Sequence, residues 1–300
     1  MAFRATAPGS DAAMDTPESL PQTLALERLE VNLFRGVTPE ATWGRIFGGQ
    51  VIAQSLLAAY GTVEGRVCHS LHCYFIRPGD PQVPIIFDVD RSRDGGSFTT
   101  RRVVAIQHGQ QIFNLAASFQ TPEQGLEHQA SMPDVPGPEG LPEESRQHLA
   151  MLEAVPEEVR KELSRQRPIE MRAVEAEDFA ALGGREPMLG GIWMRARDEI
   201  GDDPVMQQTI LAYASDMQLL WATLRPHGVH GRQPGLQAAS LDHAMWLHRP
   251  SNFNDWHLYV QDSPSTSGGR GLVRGSIYSR DGALVASVAQ EGLIRIRKPA

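Results

Sequence analysis

The stretch Asp203-Pro204-Val205-Met206-Gln207-Gln208-Thr209-Ile210-Leu211-Ala212-Tyr213-Ala214-Ser215-Asp216-Met217-Gln218-Leu219-Leu220 reads as a helix with one carboxylate set into an apolar run. Asp203 suits an N-cap and Pro204 suits the first helical position, where a missing N–H leaves no bond unmade. From Thr209 to Leu220 nearly every residue is apolar or small, so the helix is expected to be surrounded by protein on all sides. Asp216 interrupts that run. A buried ionised carboxylate costs several kcal/mol unless it is paired, hydrogen-bonded or protonated. Spacing alone leaves two readings open, a salt-bridged aspartate at a helix edge and a functional carboxylate.

Outward from this helix, the chain carries a second stretch of the same kind. Arg45-Ile46-Phe47-Gly48-Gly49-Gln50-Val51-Ile52-Ala53-Gln54-Ser55-Leu56-Leu57-Ala58-Ala59-Tyr60 is again apolar nearly all round, and its Gly-Gly pair permits close backbone approach where the helix begins. Before it, Leu29, Val31 and Leu33 alternate with polar residues, which predicts one half-buried strand over Leu26 to Phe34. After it, strands are expected at His69–Ile76, Ile85–Asp90, Phe98–Gln107 and Gln111–Gln120, punctuated by turn signals at Pro78-Gly79-Asp80, Asp94-Gly95-Gly96 and His108-Gly109. The second half repeats this plan. Strands are expected at Pro168–Val174 and Ile192–Arg197 before the Asp216 helix, and at Gln237–His248, Trp256–Gln261, Leu272–Tyr278 and Ala283–Arg297 after it.

The duplication can be checked residue against residue. At an offset of 172, Arg77-Pro78 falls on Arg249-Pro250, Asp90 on Asp262 and Arg102 on Arg274. The helices need a shorter offset, so the connection Trp221 to Leu236 is expected to be about ten residues longer than its counterpart, as a surface loop tolerates. The expected class is α+β: two tandem repeats, each a central helix wrapped by an antiparallel sheet, with the two sheets able to pair edge to edge. The units are 24–122 and 168–300. Residues 1–23 read as a disordered tail, with Met14 a second translation start, and 123–167 as a linker carrying a solvated, charged helix.

Composition excludes several classes of function. A net charge of −8 argues against general nucleic-acid binding, and no apolar run approaches the roughly 20 residues of a membrane span. The tail lacks the apolar core of a signal peptide. Cys68 and Cys73, five apart, are expected on opposite faces of one strand and so unbridged, in a reducing, cytoplasmic setting. No Cys/His cluster has metal spacing, and no Gly-x-Ser-x-Gly elbow marks a serine nucleophile. His243 and His248 are expected to face opposite ways as core or rim histidines.

The blocks Arg45 to Gln54, Leu211 to Asp216, Ser240-Leu241-Asp242-His243-Ala244-Met245-Trp246-Leu247-His248-Arg249-Pro250 and Gln290-Glu291-Gly292 together resemble the acyl-CoA thioesterase II family, from about Leu26 to Arg297. The resemblance implies a double hotdog fold and hydrolysis of fatty acyl-CoA to free acid and CoA, with no cofactor. It implies a site of Asp216, Ser240 and Gln290: a carboxylate to deprotonate water, and two side chains that orient it. By spacing alone, Ser240 and Gln290 would be ordinary polar strand residues. CoA phosphates call for local positive charge, for which Arg91, Arg93, Arg101 and Arg102 around the Asp94 turn are the candidates, while Gly48 and Gly49 are candidates for substrate contact. A homodimer or homotetramer is expected by the same resemblance. The competing functions are a hotdog enoyl-CoA hydratase and a non-catalytic acyl-CoA-binding module.

Overall fold

The structure, a computed structural model, describes residues 19–38, 44–143, 167–174, 190–229, 231 and 233–297. Its elements are α1 (Leu20–Leu24), β1 (Leu26–Glu30), β2 (Leu33–Gly36), α2 (Gly48–Tyr60), β3 (Val67–Phe75), β4 (Ile85–Asp94), β5 (Phe98–Gln107) and β6 (Gln110–Gln120), then β7 (Ile169–Val174), β8 (Gly190–Ala196), α3 (Pro204–Ser215), β9 (Leu236–Ser240), β10 (Asp242–Leu247), β11 (His257–Ser267), β12 (Arg270–Ser279) and β13 (Leu284–Ile296). All strand pairings are antiparallel. Twelve strands run in the order β1-β2-β4-β5-β6-β3-β10-β13-β12-β11-β8-β7, and β9 joins from the side on β13. The order on one side of the β3–β10 junction mirrors the order on the other.

That junction locates the symmetry. His72 of β3 pairs with Ala244 of β10, and these two are related by the same 172-residue offset, so a pseudo-twofold axis passes through the pair. One row of residues then crosses the sheet symmetrically: Asp90, Arg102, Ala116, His72, Ala244, Ala289, Arg274 and Asp262 are successive cross-strand partners. The Asp90/Asp262 and Arg102/Arg274 coincidences of the repeat are thus the two ends of one row on the outer face.

Inside the curl of the sheet lie α2 and α3. They are antiparallel: a Cβ at Gly49, in the first turn of α2, would overlap the carbonyl of Tyr213 near the end of α3, while Tyr60 at the end of α2 hydrogen-bonds Gln208 early in α3. Ile52, Leu56, Ile210 and Leu211 are buried in one core with Leu71, Leu115, Met245, Tyr259 and Val288 from both halves of the sheet, each such aliphatic side chain contributing roughly 1.5–3 kcal/mol of burial. The two buried glutamines of α2 are satisfied, Gln50 by Thr38 at 3.1 Å and Gln54 by the Val37 carbonyl at 3.2 Å. This arrangement is the double hotdog that the sequence led us to expect.

Several local expectations are corrected. The stretch Leu26 to Phe34 is a hairpin, β1 turning into β2, so Leu29 and Val31 fall at its tip and are exposed. Leu20, inside the stretch expected to be a tail, is buried in α1 together with Leu24. Cys68 and Cys73 do not face opposite ways. A register shift between Cys68 and Ser70 resets the alternation, and both thiols are buried and free.

The helix begun at Asp203 ends at Ser215, not Leu220, with Asp216 as its C-cap. Gln218, at φ 62°, turns the chain into a 3-10 helix, Leu220–His227. The N-caps Phe47 and Asp203 stand 156 apart, so against the strand offset of 172 the added connection is 16 residues rather than about ten. It is no plain surface loop, because Leu220 and Leu224 pack with Ile294 as a small core of their own. The strand expected over Gln237–His248 breaks at Leu241 into β9 and β10. The solvated helix expected after Glu143 lies outside the described residues. The first part of that linker is a strap, not a spacer: Met132, Val135 and Leu141 pack on Trp193, Trp256 and Leu258, and the Trp193 indole donates to the Pro136 carbonyl at 2.8 Å. No helix among the described residues is long and apolar enough to cross a membrane.

Candidate active site

Antiparallel packing brings the C-terminus of α3 against the N-terminus of α2, and Asp216 is the residue at that meeting point. A helix N-terminus carries unpaired N–H groups and a partial positive charge, so it is a favourable neighbour for a carboxylate. Here Asp216 Oδ2 lies against that first turn, beside Gly48, and the Gly49 N–H favours the ionised carboxylate. Both glycines are required by space: a Cβ at Gly48 would lie 2.7 Å from Asp216 Oδ2 and 2.9 Å from the Phe75 ring. Phe47, the N-cap of α2, offers no side-chain cap, which leaves the first turn of the helix to serve Asp216.

Oδ2 of the carboxylate lies against the first turn of α2. As a residue Asp216 is half-buried, yet its Oδ1 is sealed from solvent and finds no hydrogen-bond partner among the described residues. Burial raises its pKa above the ordinary aspartate value, opposed by His243, by the Gly49 N–H and by the Gln290 amide. A carboxylate so placed keeps an oxygen free to accept a proton.

The other two residues implied by the family resemblance converge on the same point. Ser240 ends β9 and Gln290 lies in β13, on the inward face shared by Ala286 and Val288. The break at Leu241 is what aims Ser240: β9 pairs with β13 beyond residue 291 and β10 pairs before it, and Asp242 closes the gap by accepting the Glu291 N–H at 2.7 Å. Gln290 Nε2 then donates to Ser240 Oγ at 2.7 Å. Gln290 Oε1 faces His243 Nδ1 at 2.7 Å, and His243 Nε2 meets Ser215 Oγ at 2.9 Å. Asp216, Ser240 and Gln290 are therefore brought together, with His243 and Ser215 behind them.

The sequence reading did not select His243, which it placed among core or rim histidines. It is fully buried, while His248 is exposed at the far face, so the alternation was right and only the contacts of His243 with Gln290 and Ser215 were not seen. The available signal was its place three residues after Ser240, on the inward side with Met245. Phe75 was also missed, and it had no signal beyond the repeat, since it reaches the site from the other half of the sheet.

The arginines are not brought to Asp216. Arg101 is 2% exposed and committed to structure: it donates to Thr62 Oγ1 at 2.8 Å, to the Thr62 carbonyl at 3.0 Å and to Asp94 at 2.6 Å. Thr62 follows the C-terminal end of α2, so Arg101 and Asp216 are separated by the length of a 13-residue helix, about 18 Å. Arg91 bonds Asn32 in the hairpin turn at 2.8 Å, Arg93 is exposed in the same region, and Arg102 belongs to the outer-face row.

The pseudo-symmetric counterpart of the site is filled in. Counting from the N-caps, Tyr60 occupies in α2 the place of Asp216 in α3, and the strand offset sets Leu71 opposite His243. The Tyr60 hydroxyl accepts from the Cys68 N–H at 2.7 Å, and its ring packs edge-on to Phe119.

Similarity to known proteins agrees with this fold. A family profile described as Acyl-CoA thioesterase matches residues 164–293, and one described as Acyl-CoA thioesterase N-terminal domain matches residues 37–120. Acyl-CoA thioesterase 2 of Haemophilus influenzae is 40% identical over 282 residues, covering 94% of this chain and 98% of its own. Acyl-coenzyme A thioesterase 8 of Homo sapiens is 40% identical over 291 residues, covering 91% and 88%. Among solved structures, an acyl-CoA thioesterase II, TesB2, from Mycobacterium marinum superimposes with a TM-score of 0.78 at 43% identity, over 93% of this chain and 99% of that one. A duplicated sheet around two antiparallel helices, a carboxylate where they meet and relatives this similar over nearly the whole length place the chain in the acyl-CoA thioesterase II family.

Proposed function

We propose that the protein hydrolyses fatty acyl-CoA to a free acid and CoA, by attack of a water molecule that Asp216 deprotonates. The observation that carries this reading is Asp216 Oδ1, buried and unpartnered beside the Gln290–Ser240 pair. A water held by Ser240 and Gln290 passes its proton to this oxygen as its own oxygen adds to the thioester carbonyl carbon. The first turn of α2, with its N–H groups and partial positive charge, suits the developing oxyanion. Collapse of the adduct breaks the C–S bond, and the proton on Asp216 returns to the departing CoA sulfur, which restores the carboxylate. No nucleophile from the protein is needed, because a thioester carbonyl is already activated.

A thiol-reactive dye assay on a panel of acyl-CoA chain lengths tests the reading. Stoichiometric release of free CoA thiol supports it. Tight acyl-CoA binding with no thiol released would point to a binding module, and hydration of enoyl-CoA without thiol release to a hydratase; either refutes it. The two buried, free thiols fit a reducing compartment such as the cytoplasm.

For quaternary structure the reading is a homodimer or homotetramer built on the outer face of the sheet. At the pseudo-twofold axis Tyr74 is 57% and Trp246 39% exposed, His72 packs edge-on to Trp246, and Ala116, Ala244 and Ala289 leave the face flat between flanking Arg102 and Arg274. Such a self-complementary patch suits a second copy. Light scattering at micromolar concentration is expected to show a dimer or tetramer, and Ala116→Arg to break it; a monomeric parent refutes the assembly.

A further inference from the structure

Behind the site runs a chain of hydrogen bonds whose direction matters. Ser215 Oγ lies 2.9 Å from His243 Nε2, His243 Nδ1 lies 2.7 Å from Gln290 Oε1, and Gln290 Nε2 donates to Ser240 Oγ at 2.7 Å. Every member is buried except Ser240, which is half-buried. A glutamine amide is an acceptor at one end and a donor at the other, and a half-turn of its last torsion exchanges them at almost no steric cost. Such a half-turn in Gln290 would set Oε1, instead of N–H, toward the Asp216 carboxylate and would make Ser240 spend its proton on the amide. Something must hold the amide the right way round.

We infer that His243 is a positioning residue that does this, by presenting Nδ1–H to Gln290 Oε1 and so fixing the donor direction of the whole relay toward Ser240 and Asp216. With Oε1 engaged by His243, the Gln290 amide can donate only forward. Ser240 accepts that bond and keeps its own O–H to give, so both side chains that face the attacking water present donors, and Asp216 is the acceptor. The histidine is itself held at ring and backbone: Ser215 Oγ meets Nε2 and the Cys73 thiol donates to the His243 carbonyl at 3.2 Å, while Tyr259 OH in turn fixes the Ser215 backbone by donating to its carbonyl at 2.8 Å. Burial disfavours the imidazolium, against the pull of Asp216, Gln290 and Asp242, which makes the neutral tautomer the quantity that counts. In the neutral Nδ1–H tautomer Nε2 can only accept, so the Ser215 hydroxyl, which otherwise donates to the Ala212 carbonyl at 2.8 Å, turns its proton to the ring nitrogen 2.9 Å away. The opposite tautomer turns Gln290 over.

The inference rests on the site proposed above, and the experiment separates the two. In the full-length protein, long-range ¹⁵N–¹H correlation spectra of the His243 ring are expected to show a neutral imidazole with its proton on Nδ1; a proton on Nε2 alone overturns the inference whatever the activity. In kinetics, His243→Leu is expected to lower kcat on the order of 10- to 100-fold, the scale of one buried hydrogen bond lost, with KM within about twofold. His243→Asn, which can set an amide N–H where Nδ1–H stood, is expected to keep most of the activity. Because His243 acts through Gln290, His243→Leu is expected to cost less than about twofold when added to Gln290→Ala. Equal losses in both backgrounds, or a folded His243→Leu enzyme at the parent rate, overturn the inference. A Gln290→Ala enzyme at the parent rate overturns instead the site on which it stands, and the ring spectrum still reports the tautomer. If His243→Leu does not fold, the spectrum and His243→Asn decide.

Discussion

Replacing Asp216 with asparagine isolates the proton-accepting function from the shape of the site. Asp216 Oδ2 lies at the first turn of α2, whose N–H groups and partial positive charge favour an acceptor, so the asparagine carbonyl is expected to take that end. Its NH2 group is then forced into the place of Oδ1, and a donor stands where the water needs an acceptor. The expected loss is that of a general base, on the order of 10² to 10⁴ in kcat, which corresponds to roughly 2.7–5.5 kcal/mol of barrier. The fold should not suffer. Removing the charge forfeits a favourable helix-terminus interaction, up to about 2 kcal/mol in a partly buried setting, and relieves a desolvation penalty of several kcal/mol. Stability should also show the sign of the pKa shift. In the parent, burial raises the Asp216 pKa, so between its unfolded and its folded value the native state binds more protons than the unfolded one, and stability falls as pH rises through that window. Asparagine abolishes this loss, so the variant's advantage in Tm should be larger at pH 7 than below the unfolded aspartate pKa. Dye-detected CoA release at matched folded protein, calorimetric acyl-CoA binding and a pH series of melting curves measure the three quantities. A folded Asp216→Asn enzyme that turns over near the parent rate would refute the assignment of the base and the mechanism with it.

Three further predictions concern the surroundings. Ser240→Ala and Gln290→Ala should each lower kcat with little change in KM, since they align water more than they bind substrate, while Ser240→Thr keeps the hydroxyl and should stay active; a loss confined to KM would argue against the water-orienting role. Gly49→Ala should lower Tm, because overlap with the Tyr213 carbonyl at a typical 1–3 kcal/mol for overpacking exceeds the gain of about 1 kcal/mol in helix propensity; an unchanged or raised Tm with full activity would show that the two helices need not approach so closely. Arg101→Met should lower Tm by leaving the Thr62 carbonyl unpaired, with KM for acyl-CoA unchanged; a rise in KM without a change in Tm would return Arg101 to the CoA site.

The architecture was legible because its signals are long. Two apolar runs of helical length, a Gly-Gly start and a 172-residue echo of turns and charges survive local irregularity, and they yielded the duplicated plan. What misled the reading were single-residue events. The register shift near Cys68 inverts the alternation for the residues beyond it, and the left-handed Gln218 ends α3 five residues early at no visible cost in apolar pattern. Asp216, Ser240 and Gln290 became legible through family blocks, since nothing in the spacing of residues 216, 240 and 290 brings them together; that is done by the break at Leu241 and by two helices packing head to tail. His243 looked like core because it is core. The arginines near Asp94 were chosen for charge, and charge says nothing about which end of α2 they serve.

The filled-in counterpart at Tyr60 has a consequence for how such a protein evolves. In a symmetric pair of single repeats, every helix would have to begin with glycines narrow enough to admit a carboxylate and also end in that carboxylate, and each substitution would be felt twice. Fusion into one chain releases that double demand. Here α2 keeps only the narrow beginning and closes on an aromatic residue that cements the interior, while α3 keeps only the acidic end and begins with Asp203-Pro204, a well-capped start that a glycine pair would weaken. Each helix specialises in one terminus. A chain of this kind can mutate one pole of the molecule for robustness and the other for chemistry, and a library confined to Tyr60 and Leu71 would explore new interiors without touching the reaction at Asp216.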